Sequence, residues 1–544
     1  MGYIMIKKSN GIKTLNRFGY LAATAALGVF VSAAAVQAAT PADTLVLGWT
    51  FDDMITLDPA ESFELSTGEI LGNTYDRLLR LDPNDASKVI GDVAESWEVS
   101  EDGLTYTFKI REGQKFASGN PLTAEDVAYS LIRAVKIDKS PSFILTQFGF
   151  KPDNVEEKIK ATDANTLVIT VDQSYAPSFV LNCLTADVAS VVDKKLVEEN
   201  AKDGDYGYGW LKTNYAGSGP MIVRDWRANE IVVLERNDNY RGDKSPLKRA
   251  IYRYVKESAT QRLMLEKGDI DVARNLEPGD IDAIAKTEGV SLASAPKGTV
   301  YYFSLNQKNE TLAKPEVREA LKYLVDYSAI ESTLIKHIGV QHQTFLPKGL
   351  LGASDEKPYK LDVAKAKELL EKAGLKDGFN ITMDVRSSQP VTGIAESIQQ
   401  TFAQAGIKME IIPGDGKQTL TKYRARKHDL YIGQWGTDYW DPNTNADTFA
   451  SNPDNKDDAS AKTLAWRNAW DIPELTKETK AAVLERDTEK RTQMYMDLQK
   501  KLLDDGPFVI LFQQTEVAAY RNNVENYKLG VTFTTNSVYD VSKK

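Results

Sequence analysis

The chain has 544 residues, 42% of them hydrophobic and 26% charged, with a formal net charge of −10. That is ample apolar sequence for a globular core, and the acidic balance argues against nucleic acid, whose phosphates demand basic surfaces. The single cysteine, Cys183, rules out an internal disulfide and any cysteine cluster for metal.

At the N-terminus, Lys7, Lys8, Lys13 and Arg17 precede an Ala-rich apolar run from about Tyr20 to Val36, and Val36-Gln37-Ala38 supplies small residues at cleavage positions. This pattern predicts a secretory signal peptide removed after Ala38. The run is short and rich in Ala rather than Leu, which disfavours a retained signal anchor. Losing residues 1–38 removes four basic residues and no acidic ones, so the net charge falls from −10 to −14. Roughly 500 residues remain, enough for about three domains or two large lobes. A lipoprotein needs a Cys directly after its cleavage site, whereas Cys183 lies far downstream in the apolar run Phe179–Leu184, where buried packing is expected. A freely diffusing periplasmic protein follows.

In chain order, strand-like runs fall at Thr44–Leu47, Leu104–Arg111, Thr166–Val171, Ile231–Leu234 and Phe508–Phe512. In the second of these, Leu104, Tyr106, Phe108 and Ile110 alternate with Thr105, Thr107, Lys109 and Arg111, the period of a strand with one buried face. Ser100–Gly103 reads as a hairpin turn, because Asp-Gly tolerates positive φ. Thr123 stands three residues before Asp126, a capping-box spacing that opens a helix from Ala124 to about Val135. Asp362 caps a helix through Ala373 that Gly374 ends; Ile394–Ala405 is helical to Gly406 and gives way to a strand, Ile407–Ile412. Asp487 opens a long helix reaching about Leu503, stopped by Gly506-Pro507. The mixture is α/β, without short internal repeats or a Pro/Gly/Ser-rich linker.

Catalytic constellations are missing from the sequence. Of the three histidines, His337 and His342 fall on an expected helix and its following loop, and His428 stands alone; there is no HExxH, GxSxG or GxxxxGK[ST] motif. No catalytic residue, metal ligand or cofactor is therefore expected. The segment Tyr431-Ile-Gly-Gln-Trp435-Gly-Thr-Asp438-Tyr439-Trp440-Asp441-Pro442 concentrates aromatics around a carboxylate. Aromatics give wide contact area, and a shielded Asp holds a cation strongly. On residue chemistry alone core or loop packing of Trp435, Tyr439 and Trp440, with Asp438 or Asp441 as a turn residue, is the favoured reading.

The stretch Ala94–Arg133 carries Trp97, the Ser100-x-Asp102-Gly103 turn, Thr105-x-Thr107-Phe108, Arg111-x-Gly113-x-Lys115-Phe116, Gly119-x-Pro121-Leu122-Thr123 and Ala124-x-Asp126-Val127. Together these closely resemble the signature of the peptide and nickel class, family 5, of extracytoplasmic solute-binding proteins, the receptors of ABC importers. The likeness continues through Leu57-Asp58-Pro59, Gly217–Pro220, Leu234–Tyr240, Gly268–Asp271, Asn306-Gln307, Val317–Leu321 and Trp435–Pro442. It implies a two-lobed α/β clamp, of the type II-like, three-domain peptide-binding class, with a ligand cleft between lobes. Lobe I would comprise 39–76, 173–298 and 514–544, an extra domain 77–172, and lobe II 299–513. The signature would then sit in the extra domain, away from the ligand.

The resemblance also implies a site. Asp438 matches the Asp that pairs with a peptide's α-ammonium, Trp435 and Tyr439 would line a side-chain pocket, and the Phe63, Glu64 and Leu65 backbone would pair with the ligand main chain. Asn275 resembles another cleft residue, and Arg274 beside it would meet a carboxylate. For Phe63–Leu65, Asn275 and Arg274, scaffold or solvated surface is at least as good a reading, whereas the aligned motif favours binding for Asp438 and Trp435. The family's strand Arg that receives the peptide carboxylate has no counterpart in His428–Ile432, leaving Arg424 and Arg426 as substitutes only if they point inward. The implied function is a monomeric periplasmic receptor that captures short peptides by lobe closure and delivers them to a membrane ABC permease with cytoplasmic ATPase subunits. An oligosaccharide, opine or other amine-bearing solute is the alternative cargo; a secreted hydrolase or a chaperone-like binder is a more distant one.

Overall fold

The structure is a computed structural model describing residues 40–459 and 461–544. The expected signal peptide and its cleavage point lie outside the described residues. Strand β1 (Thr44–Trp49) is buried at every position, so it reads as a nearly continuous apolar run rather than an alternating one. Helix α1 (Leu65–Thr74) follows, almost wholly buried. A Cβ at Gly72 would meet the Thr534 carbonyl oxygen at 2.1 Å, so only glycine there lets segment 532–535 lie directly on the helix.

A hairpin, β2 (Leu79–Asp82) and β3 (Asp85–Gly91), leads into a separate four-stranded antiparallel sheet. Its strands are β4 (Ala94–Val99), β5 (Thr105–Ile110), β6 (Ile159–Asp163) and β7 (Thr166–Thr170), in the order β4-β5-β7-β6, with helix α2 (Ala124–Ile137) packed against it. The expected hairpin turn forms: Gly103 has φ 72° and its N–H donates to the Ser100 carbonyl. Tyr106, Phe108 and Ile110 share one core with Val127 and Leu131 of α2. The Thr123–Asp126 capping box closes the helix start, and Arg133 near its end grips Asp58 at 2.7 and 2.6 Å, tying the sheet's helix to the Leu57-Asp58-Pro59 segment.

The main body is an eleven-stranded mixed sheet. β8 (Met221–Arg227), β9 (Ile231–Arg236), β10 (Arg249–Tyr254), β11 (Val272–Ala273), β12 (Val290–Leu305), β13 (Gly339–Gln341), β14 (Asn380–Arg386), β15 (Lys408–Gly414), β16 (Leu430–Gly436) and β17 (Phe508–Arg521) join β1 in it. The order is β15-β14-β16-β12-β17-β11-β1-β10-β9-β8, with β13 also on β17. Two strands run its length. Val290–Pro296 of β12 pairs with Thr515–Arg521 of β17, next to β11 and β1; beyond a register break, Val300–Ser304 pairs with Phe508–Gln513, next to β16. The short apolar run Phe508–Phe512 gave only the first part of β17, because its remainder, including Gln513, Gln514 and Glu516, is held by ladder pairing rather than by its own hydrophobicity.

Helices Val363–Lys372, Val391–Gln404 and Thr488–Asp505 stand where expected, the first and last capped by Asp362 and Asp487. Among the histidines, His337 differs from expectation, whereas His342 lies in a loop as expected. His337 is not helical: it occupies a turn with φ 72° beside Asp282. His342 and His428 are buried, and that burial drives both imidazoles down to about 4. Among the described residues no group of His, Cys, Asp and Glu is placed to hold a metal, and no helix is long and apolar enough to cross a membrane.

Candidate ligand cavity

Where the two long strands break register, β16 ends and the Thr437–Pro442 loop begins. Val300 of β12 faces Trp435 across the ladder, Thr299 faces Gly436, and the Thr437 N–H donates to the Gly298 carbonyl at 2.9 Å. This loop forms one wall of a cavity of about 440 Å³, within the range of small-molecule sites. The start of α1, strand β2, segments 75–77 and 185–188, and segment 532–540 provide most of the rest of the lining.

Six of the eight sequence-predicted residues meet there: Phe63, Glu64, Leu65, Trp435, Asp438 and Tyr439. Asp438 is partly buried; its backbone N–H donates to the Thr444 hydroxyl at 3.0 Å, and its carboxylate has no cationic partner among the described residues. Desolvation pushes that carboxyl up to about 7, with Thr444 pulling weakly the other way. The Trp435 indole N–H is buried without a hydrogen-bond acceptor among the described residues. Tyr439 is buried against Phe179 with ring centroids 5.8 Å apart, so it joins the loop to the α2 core as well as lining the cavity. Trp440, on the same wall, packs so closely over Gly298 that a Cβ there would come within 2.7 Å of its ring.

Three expectations need correction. The Phe63–Leu65 backbone is not a free ladder edge. Leu65 already belongs to α1, the Glu64 carbonyl accepts from Gly68, and the Phe63 N–H is taken by the Glu64 carboxylate at 3.2 Å. What this segment offers the cavity is side chains: Phe63 and Leu65 are exposed large apolar residues, and Phe63 stands edge-on to Phe143. Burial raises the Glu64 carboxyl, with Asp53 and Glu61 adding to the effect.

Arg274 and Asn275 do not line the cavity. Arg274 is fully buried in an ion cluster, bonded to Glu69 of α1 and Glu516 of β17, with its guanidinium 4.4 Å from the Trp49 ring. Lys297 of β12 joins Glu516 at 2.7 Å and also donates to the carbonyls of Gly530 and Thr532. Two cations balance two carboxylates, so the cluster pins α1, both long strands and the loop near the cavity without a free charge for a ligand. Asn275 takes a left-handed φ of 54° and accepts a hydrogen bond from the Thr50 N–H, which is a turn role. Arg426 is likewise committed, to Asn455 and Asp457, and neither it nor Arg424 reaches the cavity.

Sequence reasoning missed the cavity's other polar wall, which holds Arg77, Arg80, Asp187, Tyr240 and Tyr539. Leu79-Arg80-Leu81 did carry a signal, an exposed cation alternating with two buried leucines. None of the signature residues from Trp97 to Val127 touches the cavity.

An aromatic-walled cleft with an uncompensated carboxylate, set beside two continuous strands, defines a ligand-capturing binding protein of the α/β class. Residues 88–457 match the family described as bacterial extracellular solute-binding proteins, family 5 Middle, and the chain belongs to that family. It is 29% identical over 497 residues to the probable D,D-dipeptide-binding periplasmic protein DdpA of Escherichia coli K12, covering 90% of this chain and 92% of that one. It is 26% identical to the dipeptide-binding protein of the same organism, over 81% and 84% of the two chains. Its fold matches the periplasmic binding protein DppA of Helicobacter pylori in complex with the peptide STSA. There the TM-score is 0.78 at 24% identity, over 92% of this chain and 98% of that one.

Proposed function

We propose that this chain is the periplasmic substrate-binding component of an ABC importer, and that it captures short peptides by closing two lobes over the cavity. The observation that carries the reading is Asp438. A desolvated carboxylate without a cationic partner among the described residues, flanked by Trp435 and Tyr439 in a cavity of about 440 Å³, is built for an ammonium group. The names of the curated relatives point the same way, toward dipeptides.

In this reading lobe I comprises 39–76, 173–298 and 514–544, the extra domain 77–172 and lobe II 299–513. The register break in β12 between Pro296 and Val300 is then the place where bending is cheapest, and it lies at the first lobe boundary. Closure hides the ligand from water and presents the permease with a surface that differs from the empty receptor's. Residues 1–38 act as a signal peptide cleaved after Ala38, the mature protein works as a monomer without cofactor, and it binds its cargo without turning it over.

Native mass spectrometry of protein purified from periplasm, with the released ligand sequenced, tests the cargo. The expected result is a set of short peptides, lost in an Asp438→Ala variant. A sugar or an opine in the released fraction overturns the peptide reading; peptides retained in full by the variant overturn the role of Asp438.

A further inference from the structure

The cavity has a second charged end. Strand β2 places Leu79 and Leu81 in the core and turns Arg80 outward between them, into the cavity wall beside Tyr240 and Tyr539. Its cationic neighbours are already spent: Arg77 is paired with Asp187, and Arg241 with Asp92 and Asp76. Arg80 has no carboxylate within ion-pair distance and no hydrogen-bond acceptor among the described residues.

We infer that Arg80 receives the ligand's carboxylate, so that a short zwitterion spans the cavity from Asp438 at the loop wall to Arg80 at the β2 wall. This deepens the peptide reading and rests on it. Three observations support the assignment. A guanidinium is planar and takes a carboxylate through two parallel N–H donors, a geometry that a lysine cannot offer. The rest of the cavity wall is rich in acid: Glu64, Asp438 and Asp540 lack cationic partners among the described residues, and Asp76, on which Arg80 acts electrostatically, is held together with Asp92 by Arg241, so Arg80 is the cavity-lining cation that makes no ion pair among the described residues. The arginines that sequence reasoning considered for this task, Arg274, Arg424 and Arg426, all lie outside the cavity. Anchors at fixed positions at both ends set ligand length, whereas side chains between them meet mostly aromatic and small residues.

The test uses full-length mature protein and three synthetic dipeptide libraries of matched composition: free, C-terminally amidated, and N-acetylated. Binding is read by competition in native mass spectrometry. The parent protein is expected to favour free acids over amides by about tenfold or more, the value of one charge-assisted hydrogen-bonded contact. R80A should erase that preference while leaving the penalty for N-acetylation intact; R80K should restore part of it. Arg80 is exposed and unpaired, so R80A removes no structural contact, and an unchanged thermal midpoint verifies this. An acid-over-amide preference that survives R80A overturns the assignment while leaving the peptide reading standing. A parent protein that binds none of the three libraries overturns the peptide reading and the assignment with it.

Discussion

Arg491 holds Asp441 with both terminal nitrogens, Nη2 to Oδ1 at 2.7 Å and Nη1 to Oδ2 at 2.9 Å, and both side chains are 2% exposed. The pair fastens the end of the Trp435–Asp441 segment to helix Thr488–Asp505, and Arg491 also reaches the Ser178 hydroxyl. Replacing Arg491 by Met leaves a buried carboxylate without its partner, which costs about 3–5 kcal/mol. A double variant, Arg491→Met with Asp441→Leu, should recover most of that loss, because an apolar pair of similar volume carries no desolvation penalty. Urea unfolding of the three proteins checks both statements. Ligand affinity should fall in the single variant, since the loop bearing Asp438 loses its anchor.

With Asp438 as the proposed ammonium anchor, binding should depend on pH. Its carboxyl sits at about 7 in the ligand-free protein because burial disfavours the charge. A bound ammonium favours the ionised form, so below about pH 7 binding must expel a proton. Affinity for a free dipeptide should therefore rise with pH through the range 5–7 and fall again above about pH 8, where the ligand's own α-ammonium loses its proton. Calorimetry in two buffers of different ionisation enthalpy should register the released proton, and Asp438→Asn should abolish both the rise and the proton release. The sign for stability is opposite. With its folded value raised, Asp438 costs nothing below about pH 4, where it is protonated in both folded and unfolded chains, and the cost grows as pH rises toward 7. Asp438→Asn should accordingly stabilise the empty protein at neutral pH and leave it unchanged near pH 4.

The long strands meet α1 through the Arg274–Glu69–Glu516–Lys297 cluster. Burial opposes ionisation of Glu516, yet Arg274 and Lys297 overcome it and hold the carboxyl well below its ordinary value. A lowered carboxylate contributes stability that is complete above the unfolded value and is lost as pH falls through the folded one. The parent should thus lose stability steeply on acidification below about pH 4, and Glu516→Gln should start less stable by about 3–5 kcal/mol but show a shallower acid limb. Chemical unfolding measured from pH 2.5 to pH 7 checks this. Arg274→Met should weaken the fold similarly without erasing discrimination between free and amidated peptides, since Arg274 faces carboxylates of the protein itself.

Local structure was legible where the chain encodes it locally. The Thr123–Asp126 box, the Asp362 and Asp487 caps and the β5 alternation each depend on residues a few positions apart, and each stands as expected. Phe63, Glu64, Leu65, Trp435, Asp438 and Tyr439 could be named because motif likeness carried them, and they converge on one cavity. Arg274 misled because an arginine beside a cleft-like motif looks the same in sequence whether its partners are ligand or protein; Glu69 and Glu516 lie 205 and 242 residues away. Arg80 and Tyr539 escaped for the same reason in reverse, since only the folded chain brings the β2–β3 hairpin and the turn at Tyr539 to the cavity that holds Asp438.

Gly298 sets how closely the Asp438 loop approaches β12. Its φ is not in the left-handed region, so alanine would suffer no backbone penalty there. The obstacle is space: an added Cβ would lie 2.5 Å from the Thr437 hydroxyl and 2.7 Å from the Trp440 ring. Neither is a distance that real contacts tolerate, and Trp440 is itself backed by Gly349, whose own Cβ would meet the ring at 3.0 Å. Something must move, and the 437–440 segment yields more readily than the paired strand behind it. Gly298→Ala should therefore cost about 1–3 kcal/mol of stability through overpacking and weaken ligand binding by displacing Asp438. Gly298→Ala combined with Trp440→Phe frees room at the ring and should restore part of both losses. Equal affinity in the parent and Gly298→Ala, measured by the same competition assay, would show that the loop's close seating on β12 is not what positions the carboxylate.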